Sequence, residues 1–201
     1  MKFIVTGGAG FIGSALVRSL IRDYSHEVIC LDNLSYSSNL DALNEVSSSP
    51  KFTFVEEDIC NESAFLALLQ KHQPDGVFHL AAQTHVDRSI DGPEEFIKSN
   101  ILGTFSLLEA FRKYLNSCST AVKSSARFLH ISTDEVYGSL NFNQASSKED
   151  DRYSPSSPYS ASKAASDHLA LAWFKTYKLP IMVSNCTNNY GSWQFPEKLI
   201  P

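Results

Sequence analysis

The stretch KFIVTGGAGFIG constrains this chain more than any other. An apolar run over 2–6 ends on glycines spaced three apart, Gly7, Gly10 and Gly13, and an amphipathic helical pattern begins at once. A strand must stop where these glycines begin, and a helix must open where they end. Glycine allows the tight turn and lets backbone approach a phosphate closely. The helix N-terminus adds unpaired N–H groups and the positive end of its dipole. A βα unit with an anion seat between its two elements is therefore predicted.

The rest of the chain continues this alternation. Apolar runs at 27–32, 51–58, 75–82, 126–133 and 179–187 read as further strands. Helical spacing follows in FIGSALVRSLIRDY, AFLALLQKH, the segment 93–115 and SPYSASKAASDHLALAWFKTY. The segment 93–115 opens with Pro93 and two glutamates, a favourable helix start. Several strands are apolar at nearly every position, as in a parallel sheet covered on both faces by helices. The Ser-, Asn-, Asp- and Pro-rich stretch 140–158 reads as a surface loop, and VSSSP (46–50) as a connection. All 201 residues fit one domain.

Composition narrows the function. Lys and Arg total 17 against 22 acidic residues, a formal charge of −5 with no basic run, which argues against a nucleic-acid partner. No stretch approaches the roughly 18 apolar residues of a spanning helix, and the N-terminal apolar run is too short for a secretory signal. A cytoplasmic protein with no membrane partner is expected. The four cysteines are scattered, without C-x-x-C or a Cys/His cluster, so no metal site is expected and the thiols read as reduced.

Asp32 closes the second strand 19 positions after Gly13, near the roughly 20 at which a carboxylate accepts from ribose hydroxyls. An acid there repels a 2′-phosphate, which favours NAD over NADP, with Arg18 and Arg22 as the residues that would argue otherwise. Asp58, at the end of the third strand, is either an acceptor for the adenine amino group or a turn residue. YSASK sets Tyr159 and Lys163 four apart on one helix face. An ammonium beside a phenol favours the phenolate, lowering a pKa that starts near 10.

In this order, TGGAGFIG, HLAAQTHVDRS, STDEVYG, YSASKAASDHL and NCTNNYGSWQFPEKLIP resemble the extended short-chain dehydrogenase/reductase family. The likeness runs the whole length and is strongest to the dTDP-glucose 4,6-dehydratase branch. It implies an α/β, Rossmann-type doubly wound parallel sheet in which 1–201 is the NAD-binding domain. A smaller C-terminal substrate domain would lie mostly beyond the chain, with only its approach near 188–201 present. Also implied are NAD as cofactor, dTDP-glucose as substrate and a homodimer built on helices 93–115 and the one opening near Tyr159.

Residue by residue, the resemblance adds Phe11, Ile12, Asn33, Leu34, Ser35, Ile59, Leu80, Ala81, Ala82, Ser99 and Asn189 to the cofactor contacts. Thr84, Asn188, Lys198 and Leu199 join the substrate contacts. Asn188 and Asn189 also read as a plain turn, and Lys198 as a surface lysine. His85, Asp87 and Arg88 read equally as a structural cluster or as substrate ligands.

Thr133, Asp134 and Glu135 mark the branch. A related nucleotide-sugar 4-epimerase moves only a hydride out and back, and lacks an adjacent acid pair before Val-Tyr-Gly. A 4,6-dehydratase must also remove the C5 proton and protonate the leaving C6 hydroxyl, work for two carboxyls in different protonation states. The resemblance makes Asp134 the acid, Glu135 the base and Thr133 a hydrogen-bond donor to the C4 oxygen. A UDP-glucose 4,6-dehydratase and a 4-epimerase remain the alternatives, and a non-catalytic NAD-binding protein would need neither Tyr159 nor Lys163. Neighbours in a regular strand point to opposite faces, so the acids converge only if the strand has ended before them.

Overall fold

The computed structural model describes residues 1–197. Six strands form one parallel sheet in the order β3-β2-β1-β4-β5-β6: β1 Lys2–Thr6, β2 Glu27–Asp32, β3 Phe52–Glu56, β4 Gly76–His79, β5 Arg127–Thr133 and β6 Ile181–Cys186. The order reverses between β1 and β4. In an open parallel sheet that point opens a crevice beyond the strand C-termini, where ligands bind. The Rossmann-type arrangement expected from the sequence is present.

Alternation along the strands divides the core. Ile4, Ile29, Leu31, Val77 and Phe128 face one side, where α2 (Glu62–His72), α5 (Thr104–Ser117) and α7 (Pro158–Tyr177) cover them with Phe65, Leu69, Leu107, Phe111 and Ala170. Val5, Val28 and Cys30 face the other side, under Val17, Leu20 and Ile21 of α1 (Phe11–Arg22). Burying one such aliphatic side chain contributes about 1.5–3 kcal/mol, so both faces hold the sheet.

The segment 93–115 is not one regular helix. α4 (Pro93–Phe96) passes into a π-helical stretch, Ile97–Gly103, before α5 begins. Asn100 supplies a reason. Its buried amide accepts from the Gln83 N–H (2.8 Å) and donates to the Gln83 carbonyl (2.9 Å) and to Ser162 Oγ (2.8 Å). The wider turn carries that side chain to the loop after β4, and such turns recur at functional sites. Short α3 (Val86–Asp91) and α6 (Thr120–Ser125) complete the helices, and 140–158 is irregular up to the start of α7.

Candidate active site

The glycine loop is built for close backbone contact. Gly7 has φ 67°, in the left-handed region, and a Cβ there would lie 2.7 Å from the Ala81 backbone. A Cβ on Gly13 would run into the Gly7 carbonyl. Gly10 caps α1, its own N–H donating to the Gly7 carbonyl (3.1 Å), and no side chain covers the helix start, so Phe11, Ile12 and Gly13 are left to present backbone N–H groups to a cleft they line. The cleft encloses about 1540 Å³ of non-protein space, its open mouth included.

Asp32, buried at the end of β2, anchors the next loop. Its carboxylate accepts from the N–H groups of Ala9 (2.9 Å) and Leu34 (2.9 Å) and from Ser38 Oγ (2.7 Å). A carboxylate has about four acceptor positions, so one is left toward the cleft, which Asp32 lines with Asn33, Ser35, Ile59, Leu80, Ala81, Ala82, Ser99 and Asn189. Arg18 donates to the Ala42 carbonyl and Arg22 pairs with Asp23 and Glu45, so both are committed elsewhere. Uncapped N–H groups, glycines where any Cβ would collide and a carboxylate with a spare acceptor fit a dinucleotide.

Two expected contacts stand differently. Leu34 packs partly buried against the core cluster beneath α1, gives its N–H to Asp32 and is not among the cleft-lining residues. Asp58 accepts from the Cys60 N–H (2.8 Å) in the turn leading to α2 and is not among the cleft-lining residues, whereas Glu57 and Ile59 are. Lys198 and Leu199 lie outside the described residues.

At the other end of the cleft, β5 stops at Thr133 and the chain enters a 3-10 turn, Asp134–Tyr137, capped by the Glu135 N–H donating to Thr133 Oγ1 (3.2 Å). The strand has therefore ended before the acids. Thr133 and Glu135 line the cleft together with Tyr159 and Lys163. Asp134 is half-buried behind them, and Thr133 Oγ1 donates to it at 3.4 Å. Ser157 and Ser160 form a capping box with Pro158 at N1, which places the first turn of α7, carrying Tyr159, at the cleft.

The electrostatics correct one expectation. In this arrangement the Tyr159 phenol is raised, not depressed. Burial, then the Glu135 charge, push the phenol up; a hydrogen bond with Thr133 pulls it down, and Asp134 adds to the rise. Lys163 Nζ donates instead to the Ile131 carbonyl (2.7 Å). Burial lowers Lys163 to about 8, against the attraction of Asp167 and Cys186.

Thr84 and Asn188 also line the cleft. Glu197 closes its mouth, accepting from Tyr36 Oη (2.8 Å) and pairing with Arg88 (3.2 Å) and His85 (3.8 Å). Arg88 lies 3.8 Å over the Tyr36 ring, so His85 and Arg88 engage Glu197 and Tyr36 at the cleft mouth. Sequence reasoning missed Glu57, Asn100, Asp167 and Glu197. Glu57, Asn100 and Glu197 sit in no recognisable local pattern, whereas Asp167 follows Lys163 by four on one helix. No helix is long and apolar enough to cross a membrane, and no group of three or more metal-ligating side chains occurs, both among the described residues.

The family model described as GDP-mannose 4,6 dehydratase matches residues 4–201. The chain belongs to this family. It is 54% identical over 209 residues to a dTDP-glucose 4,6-dehydratase of Shigella flexneri, covering 100% of this chain and 58% of that protein. Against the Haemophilus influenzae dTDP-glucose 4,6-dehydratase it is 50% identical over 201 residues, with 100% and 60% covered. A dTDP-glucose 4,6-dehydratase from Streptomyces venezuelae, solved with NAD bound, superposes with a TM-score of 0.91 at 42% identity, covering 100% of this chain and 60% of that one. The chain thus spans about three-fifths of the length of these relatives.

Proposed function

We propose that this chain is the NAD-binding domain, residues 1–201, of a dTDP-glucose 4,6-dehydratase. The nucleotide of the substrate would be held mainly by the part of the relatives that the chain does not span. One observation carries the reading: Thr133 and Glu135 share a cleft wall with Tyr159 and Lys163, with Asp134 directly behind.

NAD+, when bound along the glycine loop and Asp32, supplies the acceptor that takes a hydride from sugar C4 and returns it to C6. The chain's residues move the protons. Thr133 lies on the cleft wall with Tyr159 and its Oγ1 donates to Asp134, which offers a route by which the Tyr159 proton would reach Asp134. Tyr159 then takes the proton of the C4 hydroxyl, with the Lys163 ammonium offsetting the negative charge. The resulting carbonyl acidifies C5, whose proton goes to Glu135 as Asp134 protonates the departing C6 hydroxyl, and water leaves. Glu135 returns its proton to C5 at the end, so every group regains its starting state. The product is dTDP-4-keto-6-deoxyglucose, and NAD+ is not consumed.

The full-length protein incubated with dTDP-glucose should yield a 4-ketosugar with strong near-ultraviolet absorbance in alkali. Recovery of dTDP-galactose alone would refute elimination and make the protein an epimerase; equal turnover of UDP-glucose would refute the choice of nucleotide. A homodimer accompanies this reading, because Phe105 on α5 and Leu171, Phe174 and Tyr177 on α7 are exposed apolar residues on adjoining helices. Sedimentation of the full-length protein at the monomer mass would exclude it.

A further inference from the structure

Asp167 has no part in the chemistry above, yet it is fully buried with four donors converging on it. Ser132 Oγ (2.8 Å), Tyr153 Oη (3.0 Å) and Asn185 Nδ2 (3.2 Å) donate to Oδ2, and His130 Nε2 lies 3.1 Å from Oδ1. These donors come from β5, the loop before α7, and β6. Asp167 stands one helical turn after Lys163, so the two side chains share a face of α7. Lys163 is itself nearly fully buried. An unpaired ammonium in such a place is expensive, and an unpaired carboxylate equally so.

We propose that Asp167 is a positioning residue for the dehydratase reaction: its buried carboxylate is the counter-charge that keeps Lys163 an ammonium, and it ties the start of the acid turn and the loop before α7 to the cleft floor. This rests on the function proposed above.

Among the groups around Lys163, Asp167 exerts the largest attraction, acting through space and not as a contact ion pair. His130, on β5, is pushed by burial down to about 4 and is neutral at pH 7. Its Nδ1 is buried with no hydrogen-bond partner among the described residues, which places the ring proton on Nε2, facing Asp167. His79, on β4, is held well below its ordinary range by burial, and its ring nitrogens face Thr6 and Thr104. Cys186, on β6, also attracts Lys163, after Asp167. Glu135 and Asp134 lie toward Tyr159. Burial works against Asp167 ionising, but the bonds from His130 and Ser132 and the charge of Lys163 keep it below the usual carboxylate range. Tyr153, which donates to Asp167, also packs edge-on against Tyr137 in the acid turn at 5.1 Å between centroids. The same carboxylate therefore reaches both catalytic elements.

The test uses the full-length protein and the pH profile of kcat between pH 6 and pH 9.5. Asp167→Asn keeps the shape and removes the charge. Its alkaline limb should move about one unit toward acid, giving roughly tenfold less turnover above the limb, while Asp167→Glu keeps the limb in place. A uniform loss of kcat in Asp167→Asn, with the limb unmoved, would mean a structural role only and overturns the proposal. If Asp167→Asn does not fold, the carboxyl 13C shift of Asp167 in the parental protein decides. It should step near pH 8 as Lys163 loses its proton and lose that step in Lys163→Met; a flat response overturns the pairing. That measurement needs no turnover, so it separates this proposal from a failure of the dehydratase reading, which would appear as absence of ketosugar in the parental protein.

Discussion

Replacing Lys163 by methionine should stabilise the fold at neutral pH and destabilise it in alkali. The cost of keeping this lysine charged follows from its pKa, lowered from 10.5 to about 8 by burial. A shift of about 2.5 units corresponds to about 3 kcal/mol at 1.36 kcal/mol per unit. Between pH 8 and pH 10.5 the unfolded lysine still binds a proton and the folded one does not. Stability therefore rises with pH across that window, and below pH 8 the full penalty applies. Methionine fills similar volume without the charge but gives up the bond to the Ile131 carbonyl, about 1 kcal/mol. The difference in unfolding free energy, variant minus parental, should thus be about +2 kcal/mol at pH 7 and about −1 kcal/mol at pH 10.5. Urea unfolding of both proteins across this range, with matched m-values, measures it directly, and titrating groups not coupled to Lys163 cancel in the difference. A pH-independent difference would refute the reasoning, because it would mean that Lys163 keeps an ordinary pKa and is not desolvated.

Glu135→Gln leaves Tyr159 and the cofactor cleft intact but removes the base for C5. Reduced cofactor should accumulate at 340 nm with dTDP-glucose while ketosugar formation stalls, and dehydration at the parental rate would exclude Glu135 as the base. Asn100→Ala strips three buried hydrogen bonds linking the π-helical stretch to Gln83 and Ser162. About 2–4 kcal/mol of stability should go with them, since the Gln83 backbone groups are left unpaired; a loss under 0.5 kcal/mol in thermal unfolding would show that the stretch is held by packing alone. Gly7→Ala meets both a φ of 67° and the Ala81 backbone, so NAD binding measured by calorimetry should weaken at least tenfold. Unchanged affinity would mean that the loop relaxes.

What could be read from the sequence was what local spacing carries. The glycines and Asp32 belong to one βαβ unit, and Tyr159 and Lys163 to one helix face, so their placement follows from periods of two and 3.6 residues. The acid turn was legible for the same reason: Thr133 to Tyr137 adjoin in the chain, and only the end of β5 had to be guessed. Glu57 against Asp58 was not legible, because a one-residue shift where β3 gives way to the turn before α2 exchanges which acid meets the cleft. Asn100 was hidden inside a segment whose apolar pattern suits an uninterrupted helix, and its partners, Gln83 and Ser162, are supplied by tertiary contact.

The error about Tyr159 has a different origin and teaches more. Spacing alone puts Lys163 beside Tyr159, and a positive charge beside a phenol lowers its pKa. Spacing does not reveal that the ammonium points to the Ile131 carbonyl, nor that Glu135 and Asp134 raise the phenol from the other side. A phenol resting protonated beside Glu135 and Asp134 suits a dehydratase better than a preformed phenolate does. In the proposed reaction its proton is the one Asp134 would give the leaving oxygen, and a site that discarded it to solvent would have to recover it within each turnover. If so, the alkaline limb of dehydration should follow the supply of that proton as well as Lys163. The Asp134→Asn variant should then still oxidise C4 slowly and fail at water loss, with hydride held on the cofactor until the substrate leaves. Ketosugar formation by Asp134→Asn at the parental rate would remove the relay from the mechanism and leave the raised Tyr159 as a consequence of burial alone.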